Sequence, residues 1–315
     1  MTGYKCKSPI VFIIFNREDT ATEVFKIIRQ VQPPELFVIA DGARQNKTGE
    51  QERVEKTRAI INGVDWECKV YKNFSETNLG CLRRISSGLD WVFSIADRAI
   101  ILEDDCCANI SFFKFCDELL EKYSANDKIM MISGNNNSLT ECSESFYFTN
   151  YFHIWGWATW RRAWIKNEIN MESWPENKKN GLLKNIFKKR SEIYYWEHYF
   201  DLLYSNNVDS WAVPWTYSCY KNYGISIAPK INLISNIGIG RDSTHTKKES
   251  IFSKAKTGEL SFPLVYPEEI KVNKLLDEKE RKLRNKDSGR FPYPLQMVLG
   301  KIKWFLINFK KRKKA

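Results

Sequence analysis

Glu103, Asp104 and Asp105 stand side by side where an apolar run, RAIILEDDCCAN (98–109), stops abruptly. Adjacent carboxylates repel one another, so stability alone gives no reason to end a strand on three of them. Oxygen-only ligands suit a hard divalent cation, Mg²⁺ or Mn²⁺, which can bridge a diphosphate and stabilise it as a leaving group. The local alternative is that the acids favour the N-terminus of the helix that follows. A place just beyond a buried strand tips the balance towards the metal.

The elements around the triplet must position it. SPIVFIIF (8–15) and LFVIADG (36–42) are continuous apolar runs rich in β-branched residues, as in strands covered on both faces. CKVYKN (68–73) reads as a weaker third strand, residues 98–102 as a fourth and KIMMIS (128–133) as a fifth. Helical spacing connects them at about 19–31, 81–95 and 111–123, the first ended by Pro33 and Pro34. Strands alternating with helices predict an α/β fold with a mainly parallel sheet and right-handed crossovers. Ligands bind such sheets beyond the carboxyl ends of the strands, which puts Asn16 and Arg17, Asp41 and Gly42, and the acidic triplet along one edge. After residue 150 the pattern changes to tryptophan-rich segments, a lysine-rich patch (178–190) and short strands near 225–228 and 231–235.

Several ordered segments carry a family resemblance. NREDTATEVFKIIRQVQPPELFVIADG (16–42), IILEDDCCANISFFKFCDELLEKY (100–123), MMISGNNN (130–137), HIWGWATWRRAW (153–164) and ISIAPKINLISNIGIGRDSTHT (225–246) resemble, in order, the GT-A glycosyltransferases. The likeness is to the α-mannoside β-1,2-N-acetylglucosaminyltransferase family and its bacterial surface-polysaccharide relatives. It implies a Rossmann-like mixed, mainly parallel sheet flanked by helices. Residues 1–250 would form the catalytic domain (1–135 the nucleotide half, 136–250 the acceptor half), followed by a charged linker or helix (251–290) and a basic amphipathic tail (291–315). The resemblance further implies that Asp105 ligates Mn²⁺ or Mg²⁺, with His245 near the metal or diphosphate. Asn16, Arg17, Asp41, Gly42, Glu103 and Asp104 would hold the nucleotide of a sugar donor, most simply a UDP-sugar. The acceptor, a glycan or lipid-linked glycan, would lie near Trp155, Gly156, Trp157 and Trp211. Arg17 and Asp41 have a plainer alternative as a loop ion pair and a turn residue.

An inverting transfer needs a base to take the acceptor proton. The family places a carboxylate after the first tryptophan of a W-D-x-x-W-like segment, whereas DSWAVPWTY (209–217) has Ala212 there. Asp209, or Glu197 or Asp201 of YYWEHYFD, could replace it; otherwise the chain binds sugar nucleotides and transfers slowly or not at all. The tryptophans have two readings as well. Indole faces stack on sugars, yet Trp157, Trp160 and Trp164 also fit one face of a core helix, and His153 and His198 read as structural.

The formal net charge of +11 is concentrated in the tail, where residues 301–315 carry seven Lys or Arg and no acid. PLQMVLGKIKWFLINFKKRKKA (294–315) is too interrupted to span a bilayer but suits an anionic headgroup interface, which predicts a cytoplasmic protein held peripherally on the membrane. Nucleic-acid binding is disfavoured, because the basic residues do not interleave with the aromatics and no such motif is present. Eight cysteines without a CxxC pair predict free thiols in a reducing compartment.

Overall fold

The computed structural model describes residues 3–140, 142–205, 208–238 and 250–287. The expected parallel half is present. β1 (Ile10–Ile14) pairs parallel with β2 (Glu35–Ala40) on one side and β4 (Arg98–Glu103) on the other, and β3 (Lys69–Phe74) pairs parallel with β2 at the edge. All five residues of β1 are buried, as its unbroken apolar sequence requires. The weaker sequence of β3 reflects its edge position, half open to solvent.

The sheet then turns mixed. β6 (Ile129–Ser133) and β9 (Ile225–Pro229) run with the first four, while β7 (Phe146–Thr149) and β8 (Trp157–Trp160) are reversed, giving the order β3-β2-β1-β4-β8-β6-β9-β7. The chain is therefore α/β, with a mixed, mainly parallel sheet flanked by helices. One face packs α1 (Glu18–Val31) and α4 (Ile110–Lys122) over it. The other carries α3 (Cys81–Ile95), α5 (Arg161–Trp164), α6 (Trp174–Lys179), α7 (Leu182–Ile186), α8 (Arg190–Tyr204) and α9 (Ala212–Lys221). α2 (Glu50–Ala59) lies beside α1. α1 buries Ala21, Val24, Phe25, Ile28 and Val31, the stripe its spacing predicts, and ends at Gln32 in the left-handed region before Pro33.

Two long-range pairings are not given by local sequence. β5 (Cys106–Ala108) leaves the main sheet after a two-residue Asp104–Asp105 turn and pairs antiparallel with β10 (Ile234–Asn236). Ile234 of β10 fills a slot left by Gly134 and Gly156, at each of which a Cβ would overlap its side chain. The second is the docking of α10 (Lys274–Asp287), expected as a charged linker or helix, beside β7. Its Leu276 packs with Tyr147 and Ala228, and its Glu280 is buried against His153.

The tryptophan segment is not one helix face. Trp157 and Trp160 open and close β8 and point to opposite sides of the sheet, so the shared helical stripe is corrected to a strand followed by one short helical turn.

Candidate functional site

β1 and β4 are neighbours, but the chain leaves β1 for β2 on one side and returns to β4 on the other. That makes the gap beyond their carboxyl ends the switch point where open α/β sheets bind ligands. Arg17 follows β1 and the acidic turn follows β4, so the pair straddles this gap.

There the guanidinium joins the acids. Arg17 Nη2 donates to Asp104 Oδ1 and, at 2.9 Å, to Asp105 Oδ2. Asp104 Oδ2 accepts the Phe15 N–H at 3.3 Å, and Asp105 Oδ1 accepts from Asn236 Nδ2 at 3.2 Å. The Ile237 N–H also bonds the Asp105 carbonyl, so β10 and the residue after it each fix the turn. Side-chain exposure rises from 5% at Asp104 to 15% at Asp105 and 25% at Arg17, which leaves Asp105 the more accessible carboxylate. Burial pushes Asp104 up to about 6 against the pull of Arg17; it pulls Arg17 down, but the charges of and hydrogen bonds to Asp104 and Asp105 together carry Arg17 above its ordinary value. Glu103 is driven well above the ordinary carboxylate range, first by burial and then by the charges of Asp105 and Asp104. The Trp211 side chain hydrogen-bonds it.

Asp41 is buried and works on its surroundings. Oδ1 accepts N–H bonds from Gly42 and Leu79 at 2.9 Å, while Oδ2 accepts from Gly80 and Asn78 Nδ2 at 3.1 Å. Burial raises its pKa, countered by these donors and by Arg84. Gly42 lies so close to the Glu76–Thr77 backbone that a Cβ would overlap it. Asn16 donates to Glu50 Oε1 at 2.9 Å, and Glu50, fully buried, also holds Arg44. Beside Asp41 opens a cavity of about 410 Å³ lined by Ala43, Arg44, Gln45, Asn46, Glu76, Thr77 and Asn78. Another of about 450 Å³ lies between the start of α1 and Ile237.

The remaining candidates separate. Because β8 is reversed, it begins at the same edge where β4 and β6 end, and brings the preceding Trp155 and Gly156 there. Trp155 is half-buried, whereas Trp157 and Trp211 are buried and stacked on each other at 5.3 Å. Their faces are occupied by packing, which corrects the expectation that they present an open platform for a sugar. Asp209 Oδ2 and Oδ1 accept from Cys81 N (3.0 Å) and Leu82 N (2.7 Å), so this carboxylate caps α3. Glu197 lies half-buried on α8, and Asp201 is held by Trp174 Nε1 and Lys178. Ala212 opens α9. His245 and the tail 291–315 lie outside the described residues.

Among the described residues no three His, Cys, Asp or Glu side chains converge as a metal cage, and all eight cysteines are free. The acidic turn fits a cation that brings its own ligands. Two hard carboxylate oxygens focus on one cationic nitrogen, and Mg²⁺-like ions are commonly held by one or two carboxylates plus substrate phosphates. Glu50, Asn236 and Gly238 are members of the site that the sequence did not single out. For Asn236 and Gly238 the hint is the glycine-rich run NIGIG (236–240).

No protein-family model matches the chain, and no curated protein matches its sequence. Solved structures resemble about half of it. A cytidylyltransferase from Leptospira borgpetersenii is 11% identical, covering 51% of this chain and 63% of its own length, with a TM-score of 0.30. An inositol-1-phosphate CTP transferase from T. maritima is 10% identical over 52% of this chain and 75% of its own, also at 0.30. The galactosyltransferase LgtC, solved with donor and acceptor sugar analogues, is 11% identical over 54% and 64%, at 0.29.

Proposed function

We propose that the chain is a GT-A-like glycosyltransferase that moves one sugar from a nucleotide-diphosphate donor, most simply a UDP-sugar, to a glycan hydroxyl with inversion. One observation carries this reading: the Asp104 and Asp105 carboxylates focus on a single cationic point at the switch of an α/β sheet. Mn²⁺ or Mg²⁺, when bound there, neutralises charge on the departing diphosphate.

The chain's own residues divide the remaining work. Asp105, the more exposed acid, would hold the cation, and Asp104, buried and tied to the Phe15 N–H, holds the turn in shape. Glu103, driven towards its neutral form and bonded by Trp211, lets three acids share the edge without three full charges. Asp41 and Gly42 fix the wall of the cavity that takes the nucleoside, and Trp155 and Gly156 mark the acceptor side. The resemblance refines the proposal to N-acetylhexosaminyl or hexosyl transfer in bacterial surface polysaccharide or lipopolysaccharide assembly. The tail would hold the enzyme on the cytoplasmic face of the membrane, beside a lipid-linked acceptor.

A second reading has its own support. Ala212 cannot accept a proton, and both oxygens of Asp209 are already engaged by α3. A sugar-nucleotide-binding relative with little or no transfer activity fits those facts.

Thermal-shift titration with UDP, GDP and CDP, with and without Mn²⁺, tests the site. A nucleotide-dependent shift that requires Mn²⁺ and disappears in Asp105→Ala is expected. No shift with any nucleotide, or one that Asp105→Ala retains, refutes the assignment. Among binders, turnover of UDP-sugars separates the enzyme from its silent alternative.

A further inference from the structure

Arg17 occupies a place that a divalent cation would need. Its Nη2 alone bonds both Asp104 Oδ1 and Asp105 Oδ2, the oxygens on which the functional reading above depends. Two positive centres at contact distance from the same oxygens repel strongly, the more so where solvent is thin. Asp104 cannot move aside, being buried and tied to Phe15, and Asp105 is held by Asn236 and Ile237. The guanidinium is the more exposed partner, on a long side chain at the residue before α1. Main chain roofs the pair: a Cβ at Gly238 would overlap both Asp105 Oδ2 and Arg17 Nη1.

We propose that Arg17 is a displaceable internal counter-ion, which fills the cation position until a diphosphate arrives and then passes from the two aspartates to the diphosphate oxygens. This rests on the reading of the site as one for a nucleotide-diphosphate donor. A cation alone would have to evict the guanidinium from both of its carboxylate partners at once. With a diphosphate present, the displaced guanidinium gains a bidentate, charge-assisted partner. Cation and diphosphate therefore bind with positive coupling, and the coupling is reciprocal by thermodynamic linkage. No covalent bond changes; ions exchange partners.

The test is Mn²⁺ binding to the full chain, followed by the electron paramagnetic resonance signal of free Mn²⁺, with and without UDP. Wild type should take up Mn²⁺ weakly alone and at least about tenfold more tightly with UDP. Arg17→Met and Arg17→Gln, which vacate the position, should bind Mn²⁺ alone at least about tenfold more tightly than wild type, with a smaller gain from UDP. Arg17→Lys keeps a positive charge in place and should bind Mn²⁺ alone as weakly as wild type, which guards against a trivial folding defect. The proposal is overturned if the neutral variants bind Mn²⁺ no more tightly than wild type, or if UDP leaves wild-type Mn²⁺ affinity unchanged. Mn²⁺-linked UDP binding that ignores every Arg17 substitution sinks the counter-ion alone, whereas absence of Mn²⁺ and UDP binding in wild type sinks the donor-site reading with it.

Discussion

Asp209 shows how a residue type with catalytic potential can be committed to architecture. Its carboxylate receives the first N–H groups of α3, one on each oxygen. Asp209→Ala should lower the unfolding free energy by about 1 kcal/mol in urea denaturation, the usual cost of a lost N-cap. Asp209→Asn, which keeps one acceptor oxygen, should lose less and retain nucleotide binding. If it also retains transfer from a UDP-sugar, the base lies elsewhere, and Glu197→Gln is the next variant to assay. At this scale the sequence was informative where chemistry is local. The acidic triplet, Arg17 and the vacancy at Ala212 could all be read from residue types in order. Glu50, Asn236 and Gly238 could not, because each acts on a partner far along the chain, as Asn236 does on Asp105.

Among the elements, α10 is unusual in docking through charge. Glu280 is 1% exposed and bonds His153 Nε2 at 3.0 Å and Arg284 Nε at 2.8 Å. Arg284→Ala leaves that buried carboxylate without its permanent counter-charge and should cost about 3 kcal/mol by denaturant titration. Asp277, in the first turn of the same helix, accepts from Thr149 Oγ1 at 2.6 Å and from the Asn150 N–H. Burial, against those donors, pushes its pKa up to about 7. The folded state thus holds this proton more tightly than the unfolded chain, whose Asp titrates near the ordinary value of 3.8. Its stabilising contribution is complete below that value and is lost as pH rises through about 7. Burial opposes the charged form of Glu280, but His153 and Arg284 depress its pKa, so its contribution falls away only on the acid side. Melting temperature should therefore fall between about pH 4 and 7, and Asp277→Asn should flatten that slope. The parallel strands and α1, α3 and α4 were legible because continuous apolar runs and helical stripes are distinct patterns. β7 and β8 were not: both are buried throughout, so neither shows the alternation that marks a strand, and the tryptophans of β8 mimic helical spacing.

For the whole molecule, a single sheet runs through what the sequence divides into a nucleotide half and an acceptor half, with β8 paired to β4 on one side and β6 on the other. Residues 8–238 should unfold in one transition, with far-ultraviolet circular dichroism and tryptophan fluorescence coincident in urea, and a 1–135 fragment should fail to fold cooperatively. No helix among the described residues is long and apolar enough to cross a membrane. Deleting 291–315 should abolish partition onto anionic vesicles; unchanged partition removes the tail from the account. The key that Ile234 makes with Gly134 and Gly156 has a mechanical consequence. Ile234 and Asn236 share one short strand, so the small sheet works as a stiff tongue hinged on two missing methyl groups. Adding one of them, as in Gly134→Ala, would lever Asn236 off Asp105 and detune the acidic rim from a position outside it.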